Sequence, residues 1–238
     1  MRISRQTGST TGPTSEVHRA ALWDDASGSD FFFEPDAAQI TATGNAESLV
    51  DVGWTVTSLS YVAGVGADFL ATADKGVPAH YLTNASGDKM QSPAIFGDYQ
   101  HGDQASHHLL SFPTTLTMET WATFSVASAS ETTSGFGFVD AGGTIVTATD
   151  HIAVIHSDGT NFICRSNGDA DTGALIDTAL HKWTIVLSTG TTDAIEWFID
   201  DVSQGTLDLL TDVFPCSWGF HTLTTNRLLM GSTRIFYR

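Results

Sequence analysis

Apolar and polar residues alternate along most of this chain, and almost always with a period of two. In GWTVTSLSYVAG (53–64), Trp54, Val56 and Ser58 fall on one side and Thr55, Thr57 and Leu59 on the other. That is the pattern of a half-buried strand rich in β-branched residues. TTLTMETWATFSVA (114–127) places Leu116, Met118, Ala122, Phe124 and Val126 on one face, with Glu119 and Trp121 on the opposite face. GFGFVDAGG predicts a short strand ending in a Gly-Gly turn. HIAVIHSDGTNFICRS predicts a hairpin turning at Ser157-Asp158-Gly159-Thr160, and HKWTIVLSTGTTDAIEWFIDD a second one turning at Thr189-Gly190-Thr191-Thr192. Trp183, Ile185 and Leu187 alternate in the first strand of that second hairpin, and Ile195, Trp197 and Ile199 in its second strand, and Trp183, Ile185, Trp197 and Ile199 are assigned to the core. SWGFHTL and NRLLMGSTRIFYR supply two further strands. Helical periodicity is absent from every window long enough to show it.

About ten short strands separated by regular turns predict an all-β fold, a two-sheet antiparallel jelly-roll sandwich. The least regular part is 71–113, where Pro78, Pro93, Pro113 and Gly-Asp pairs break the chain into loops and short strands. Trp23 and Phe31-Phe32-Phe33 are early apolar anchors around a turn-prone DDASGSD. Residues 1–19 are rich in Ser, Thr and Gly, carry Pro13 and have no apolar period. They read as an extended N-terminal arm, with one domain over 20–238.

Composition narrows the functional classes. Hydrophobic residues make up 41% of the 238, enough for a core. No apolar run approaches the roughly 18 residues of a membrane span. MRISRQTGSTTGPT lacks the apolar middle of a signal peptide, so synthesis in the cytoplasm without export is expected. The formal net charge of −17 argues against nucleic acid, whose binding rests on Lys and Arg at phosphates. The arm runs the other way. Arg2, Arg5 and Arg19 against Glu16 give it +2, which leaves −19 on the rest. Cys164 and Cys216 are too few for a disulfide framework. Two buried thiols are expected, with a single bridge as the alternative.

The strand at LTMETWATF resembles the "F-T-ϕ-x-x-W-ϕ-x-ϕ" strand of laminin-G-like jelly rolls, the concanavalin A-like lectin and glucanase superfamily. HKWTIVLSTGTTDAIEWFIDDVSQGTL resembles that superfamily's "W-ϕ-x-ϕ" strand leading to "ϕ-x-ϕ-Y-ϕ-D-G", with Asp201 where Gly is usual. RLLMGSTRIFYR is similar to its closing strand. The resemblance covers about residues 110–238 and speaks to fold more than function. STTGPTSEVHRAALWDD followed by FFFEPD resembles the start of virion structural proteins of tailed bacteriophages.

Several motifs were weighed for chemistry. Glucanases of this superfamily carry E-x-D-x-x-E on one strand face. Here Glu196 and Asp200 share a face by alternation, but Phe198 stands between them, and Glu119 is alone on its strand. No G-x-S-x-G elbow occurs, and Ser217 and His221 read as strand-end residues. His101, Asp103, His107 and His108 form a histidine-rich stretch, read as a solvated loop. Asn167, Asp169 and Asp171 place oxygens at alternate positions and are the candidate calcium ligands, against the plainer reading of an acidic turn. Trp218, Phe220, His221 and Tyr99 are candidates for stacking on sugars.

From the resemblance, the expected role is a non-enzymatic virion structural protein. It would decorate or stabilise the capsid and dock through Arg2, Arg5 and Arg19 of the arm onto the major capsid protein or another virion protein. A homo-oligomer on the virion surface is expected, with no nucleic acid or membrane partner and no cofactor apart from the calcium candidate. A carbohydrate-binding module or a tail-fibre-associated adhesion protein is the alternative, and a glucan hydrolase of the same fold the third reading.

Overall fold

Alternation becomes strand throughout the part of the chain that can be described. The computed structural model describes residues 30–33, 40, 49–63, 79–82, 87–94, 96, 98–100, 107–109, 114–124, 130–189, 193–209, 216–222 and 228–237. The arm 1–19 and Trp23 lie outside the described residues. The strands are β1 (Asp30–Phe33), β2 (Thr55–Thr57), β3 (Ser60–Ala63), β4 (Ala79–Leu82), β5 (Lys89–Gln91), β6 (Asp98–Gln100), β7 (His107–Leu109), β8 (Thr114–Phe124), β9 (Ser130–Val139), β10 (His151–Asp158), β11 (Asn161–Ser166), β12 (Asp169–Leu175), β13 (His181–Thr189), β14 (Ala194–Ile199), β15 (Val202–Asp208), β16 (Ser217–His221) and β17 (Leu228–Tyr237).

They form two antiparallel sheets. The first has eight strands in the order β15-β14-β13-β8-β17-β4-β3, with β1 beside β17. The second has seven, β12-β11-β10-β9-β16-β5-β2, and β6 with β7 makes a separate pair. The chain passes repeatedly between sheets, as a jelly roll does. The predicted two-sheet sandwich is therefore the observed fold.

Two elements differ from the sequence reading. GWTVTSLSYVAG is not one strand. Ser58 takes a positive φ of 53°, and the chain leaves β2 in the second sheet for β3 in the first. Apolar alternation runs through such a break without registering it. Conversely, β12 and β15 are polar and were not expected as strands. Each is the outer edge strand of its sheet, so it has little core to face and needs no apolar face of its own.

The inner faces carry the expected residues. Leu116, Met118, Ala122 and Phe124 of β8, Trp183, Ile185 and Leu187 of β13, and Ile195, Trp197 and Ile199 of β14 are all buried. Phe136 and Phe138 of β9 and Phe162 of β11 meet them from the second sheet. The Trp183 ring lies edge-on to Phe162 at 4.8 Å and to Phe136 at 5.5 Å. Buried indole N–H groups need acceptors. Trp183 Nε1 donates to the Ala122 carbonyl at 3.0 Å, Trp197 Nε1 to the Asp171 carboxylate at 2.7 Å, and Trp218 Nε1 points at the Met118 sulfur at 3.1 Å. Thr120 interrupts the apolar face of β8, and its hydroxyl meets that of Thr233 on β17 at 2.7 Å. Both hydroxyls are thereby satisfied inside the core. Cys164 and Cys216 are buried free thiols, as expected, and burial raises the pKa of each well above the usual thiol range.

Trp197→Ala should cost about 3–5 kcal/mol, because it empties a large core site. Urea denaturation measures this directly. An unchanged midpoint would place the ring outside the core.

Candidate functional site

The two outer faces of the sandwich are unequal. In the second sheet, Val154 and His156 of β10 alternate outward and a bulge between His151 and Ala153 brings His151 to the same side, yet all three are buried. The segment from Asp140 to Asp150 folds over them. Val139, Ile145 and Val154 form a small apolar cluster beneath it. Gln91 Nε2 donates to the Gly143 carbonyl at 2.7 Å, and Thr144 N–H to the Asp150 carboxylate at 2.8 Å. β10 is thus covered on both sides.

The first sheet keeps much of its outer face partly open. Register places Trp121 of β8 beside Lys182 of β13. The next row holds Glu119, Thr184 and Phe198, and the row after it Thr117, Val186 and Glu196. All but Thr117 are half-buried. Lys182 Nζ reaches Asp201 at 2.7 Å and Glu119 at 3.4 Å. Its pKa is raised, first by the hydrogen bond to Asp201 and then, against some desolvation, by Glu119. Ser203 Oγ donates to Glu196 at 3.2 Å. The Thr184 hydroxyl is buried and has no hydrogen-bond partner among the described residues. The result is an indole and a phenyl ring on a flat sheet, interleaved with carboxylates, an ammonium group and an unsatisfied hydroxyl.

At the start of β13, on the inner side with Trp183 and Phe162, His181 is held between two carboxylates. Its Nδ1 meets Asp200 at 2.7 Å and its Nε2 meets Asp177 at 2.9 Å. Asp200 also accepts the Lys182 N–H at 2.9 Å. Asp200 and Asp201 take positive φ values of 50° and 66°, so the β14–β15 turn is left-handed at both positions. This explains the glycine usual at position 201 in the resembling pattern, because Gly accepts that backbone without strain. It also corrects the shared face of Glu196 and Asp200. β14 ends at Ile199, and the turn takes the Asp200 carboxylate to His181.

Other sequence candidates are redistributed. Trp218 and Phe220 are fully buried on the inner side of β16, so they offer no platform to a sugar. Ser217 and His221 are the first and last residues of that strand, as expected. His107 and His108 lie on β7, paired with Gln100 and Tyr99 of β6. This corrects the loop reading at those two positions. The side chains of His107, His108 and Tyr99, together with His101, Asp103, Arg2, Arg5 and Arg19, lie outside the described residues. Among the described residues, no three His, Cys, Asp or Glu side chains gather in a way that could hold a metal ion.

The calcium candidates occupy a hairpin and a rim. Asn167 and Gly168 both have positive φ, 41° and 92°, and form the two-residue turn between β11 and β12, with Ser166 opposite Asp169. The Asn-Gly pair was the signal for this hairpin. Asn167 and Asp169 are exposed, whereas the Asp171 carboxylate accepts the Trp197 indole N–H. β12 and β15 run together along this rim. Gln204 Oε1 accepts the Ala174 N–H at 2.9 Å. Gly173 and Gly205 leave the needed space, since a methyl at either would strike the Trp197 ring or the Asp171 carboxylate.

No family model and no curated protein sequence matches this chain. Among solved structures it is similar to a protein of unknown function from Shewanella oneidensis MR-1, with a TM-score of 0.51, 8% identity, and coverage of 97% of this chain and 96% of that one. It is also similar to the conserved carbohydrate esterase of the Shiga toxin-encoding bacteriophage phi24B (TM-score 0.48, 10% identity, 80% and 92% coverage). A third is the Emp47p carbohydrate recognition domain (0.43, 10%, 75% and 87%). The fold shared with the first of these is the two-sheet antiparallel jelly-roll sandwich. At such identities the likeness concerns the fold, and function has to be argued from this chain's own surface.

Asp171→Ala should cost about 1–3 kcal/mol by leaving the Trp197 N–H without its acceptor. Calcium should leave the wild-type melting temperature unchanged, because an ion would have to draw Asp171 away from Trp197. A rise with calcium that disappears in Asp171→Ala would instead make Asn167, Asp169 and Asp171 a metal site.

Proposed function

We propose that this chain is a non-enzymatic carbohydrate-binding protein of a tailed-phage particle, and that it holds glycan on the open face of the first sheet around Trp121. The observation behind this reading is the half-buried Trp121 indole beside the Lys182 ammonium group and the Glu119 carboxylate. A sugar ring offers C–H groups on its faces and hydroxyls around its edge. An indole suits the first, and the paired charges around it suit the second. Three neighbouring strands, β8, β13 and β14, span about 10 Å at their usual spacing, enough for a short oligosaccharide.

The same face favours binding over cleavage. Paired-carboxylate hydrolysis needs two acids across the scissile bond. Phe198 occupies the position after Glu196 on this face, Asp200 is engaged by His181 and the Lys182 N–H, and Glu119, two strands away from Glu196, is paired with Lys182.

The virion assignment rests on the sequence. The N-terminal resemblance to phage structural proteins is joined by an arm whose +2 opposes a body of −19. Arg2, Arg5 and Arg19 would dock on an acidic surface of the major capsid protein or another virion protein, while the acidic bodies repel one another. The protein would then decorate the particle and present its glycan face outward.

An immobilised-glycan array should show binding without release of reducing ends. Trp121→Ala should weaken it about thirtyfold, as for an aromatic anchor worth about 2 kcal/mol, with an unchanged melt. Binding untouched by Trp121→Ala would move the site, and turnover of a glycan would make the chain an enzyme. Deleting residues 1–19 should abolish particle binding and leave the melt as it was. Full binding by the truncated chain would shift docking onto the jelly roll.

A further inference from the structure

Charge on the open face of the first sheet is unevenly matched. By register its outward groups run diagonally from Trp121 on β8 through Thr184 on β13 to Glu196 on β14. At usual strand spacings that diagonal is about 16 Å, the reach of a short oligosaccharide. Among the described residues two cations serve the face. Lys182 Nζ is held by Asp201 at 2.7 Å and by Glu119 at 3.4 Å, so it is matched twice over. Arg234 on β17 lies opposite Glu119, with its guanidinium 4.4 Å from the centre of the Phe236 ring.

Carboxylates outnumber these cations. Glu196 stands between Val186 on β13 and Thr206 on β15, half-buried, and accepts the Ser203 hydroxyl at 3.2 Å. Asp208 falls on the same side of β15, opposite Ala194, and is exposed. Among the described residues neither Glu196 nor Asp208 has a basic partner. The unmatched charges of this face are therefore both negative, and the formal net charge of −17 adds the same sign at longer range.

A sugar carrying a carboxylate, sulfate or phosphate must shed ionic hydration to lie here. It meets no unmatched cation to offset that loss, and it meets Glu196 as a like charge. An uncharged sugar keeps its neutrality and offers hydroxyls that donate to the same carboxylate. Discrimination between related ligands rests on a repulsive group as much as on an attractive one.

We propose, on the footing of the glycan-binding reading above, that the open face takes uncharged glycans and refuses acidic ones, and that Glu196 sets the difference. Its half-buried position strengthens its field relative to a fully solvated carboxylate. Two like charges about 6 Å apart at an effective dielectric of about 40 weaken binding about tenfold. Asp208, exposed at the edge strand, is more fully screened.

The test places the full chain on an array in which each uncharged glycan is printed beside its sialylated, sulfated or uronate counterpart. At low salt the uncharged members should bind about tenfold more tightly than their acidic counterparts. In about 1 M NaCl, where the Debye length falls to about 3 Å, the two should approach parity. Glu196→Gln should narrow the low-salt ratio about tenfold, and Glu196→Asp, which keeps the charge, should preserve it. Acidic members bound as tightly as their counterparts, in binding that Trp121→Ala weakens, would overturn the charge selection and leave the glycan site standing. A ratio unchanged in Glu196→Gln would remove Glu196 as its origin. Binding to no member, or binding that Trp121→Ala leaves intact, would instead overturn the glycan site itself. The salt dependence is read on the unaltered chain, so the selection is decided even where a Glu196 variant does not fold.

Discussion

The two sheets close around the indole of Trp183. It projects from β13 between Phe136 and Phe162 of the opposite sheet, with its one polar atom satisfied by Ala122 on the neighbouring strand. Rings packed edge-on at this density fix both the sheet separation and the register of the strands that carry them. A slip of one residue in β13 would turn Trp183, Ile185 and Leu187 to the outside together. Trp197, two strands' pairing away from β8, performs the matching task at the rim, where its N–H ties the core to Asp171 on the edge of the second sheet.

Because the inner faces are saturated with apolar side chains, differences in behaviour fall to the outer ones. The second sheet covers part of its outer face with its own chain, and this is why His151 is buried and bonded to the Ile145 carbonyl. The first sheet leaves Trp121, Thr184, Phe198 and their charged neighbours half-buried. A fold made by burying two faces thus has one covered outer face, held by local polar contacts, and one open face on which recognition chemistry can be built.

Charge acts at longer range. A body of −19 repels its copies and polyanions alike, and an arm of +2 does not. On the open face the local balance is finer, with Lys182 shared between Asp201 and Glu119. These pairs are partly solvated and add little stability. Their effect is to hold the ammonium group beside Trp121 in a defined place.

The sequence by itself determined the class of fold, the inward assignments of β8, β13 and β14, and the β10–β11 and β13–β14 hairpins. The reason is physical. A strand with one buried face must alternate, and a tight turn between two such strands has few permitted residue types. The outward position of Trp121 and Glu119 was legible for the same reason. Tertiary structure alone decided what alternation does not encode. It placed the polar strands β12 and β15 at the rim, where each pairs with one neighbour and stays largely exposed. It split 53–64 between the sheets at Ser58, whose φ leaves no mark in a pattern of apolar residues. It buried Trp218 and Phe220, drew Asp171 to Trp197 and Asp200 to His181, and folded a loop over His151 and His156. Each of these depends on a contact between residues far apart in the chain or on a turn that redirects a side chain, and local periodicity carries neither.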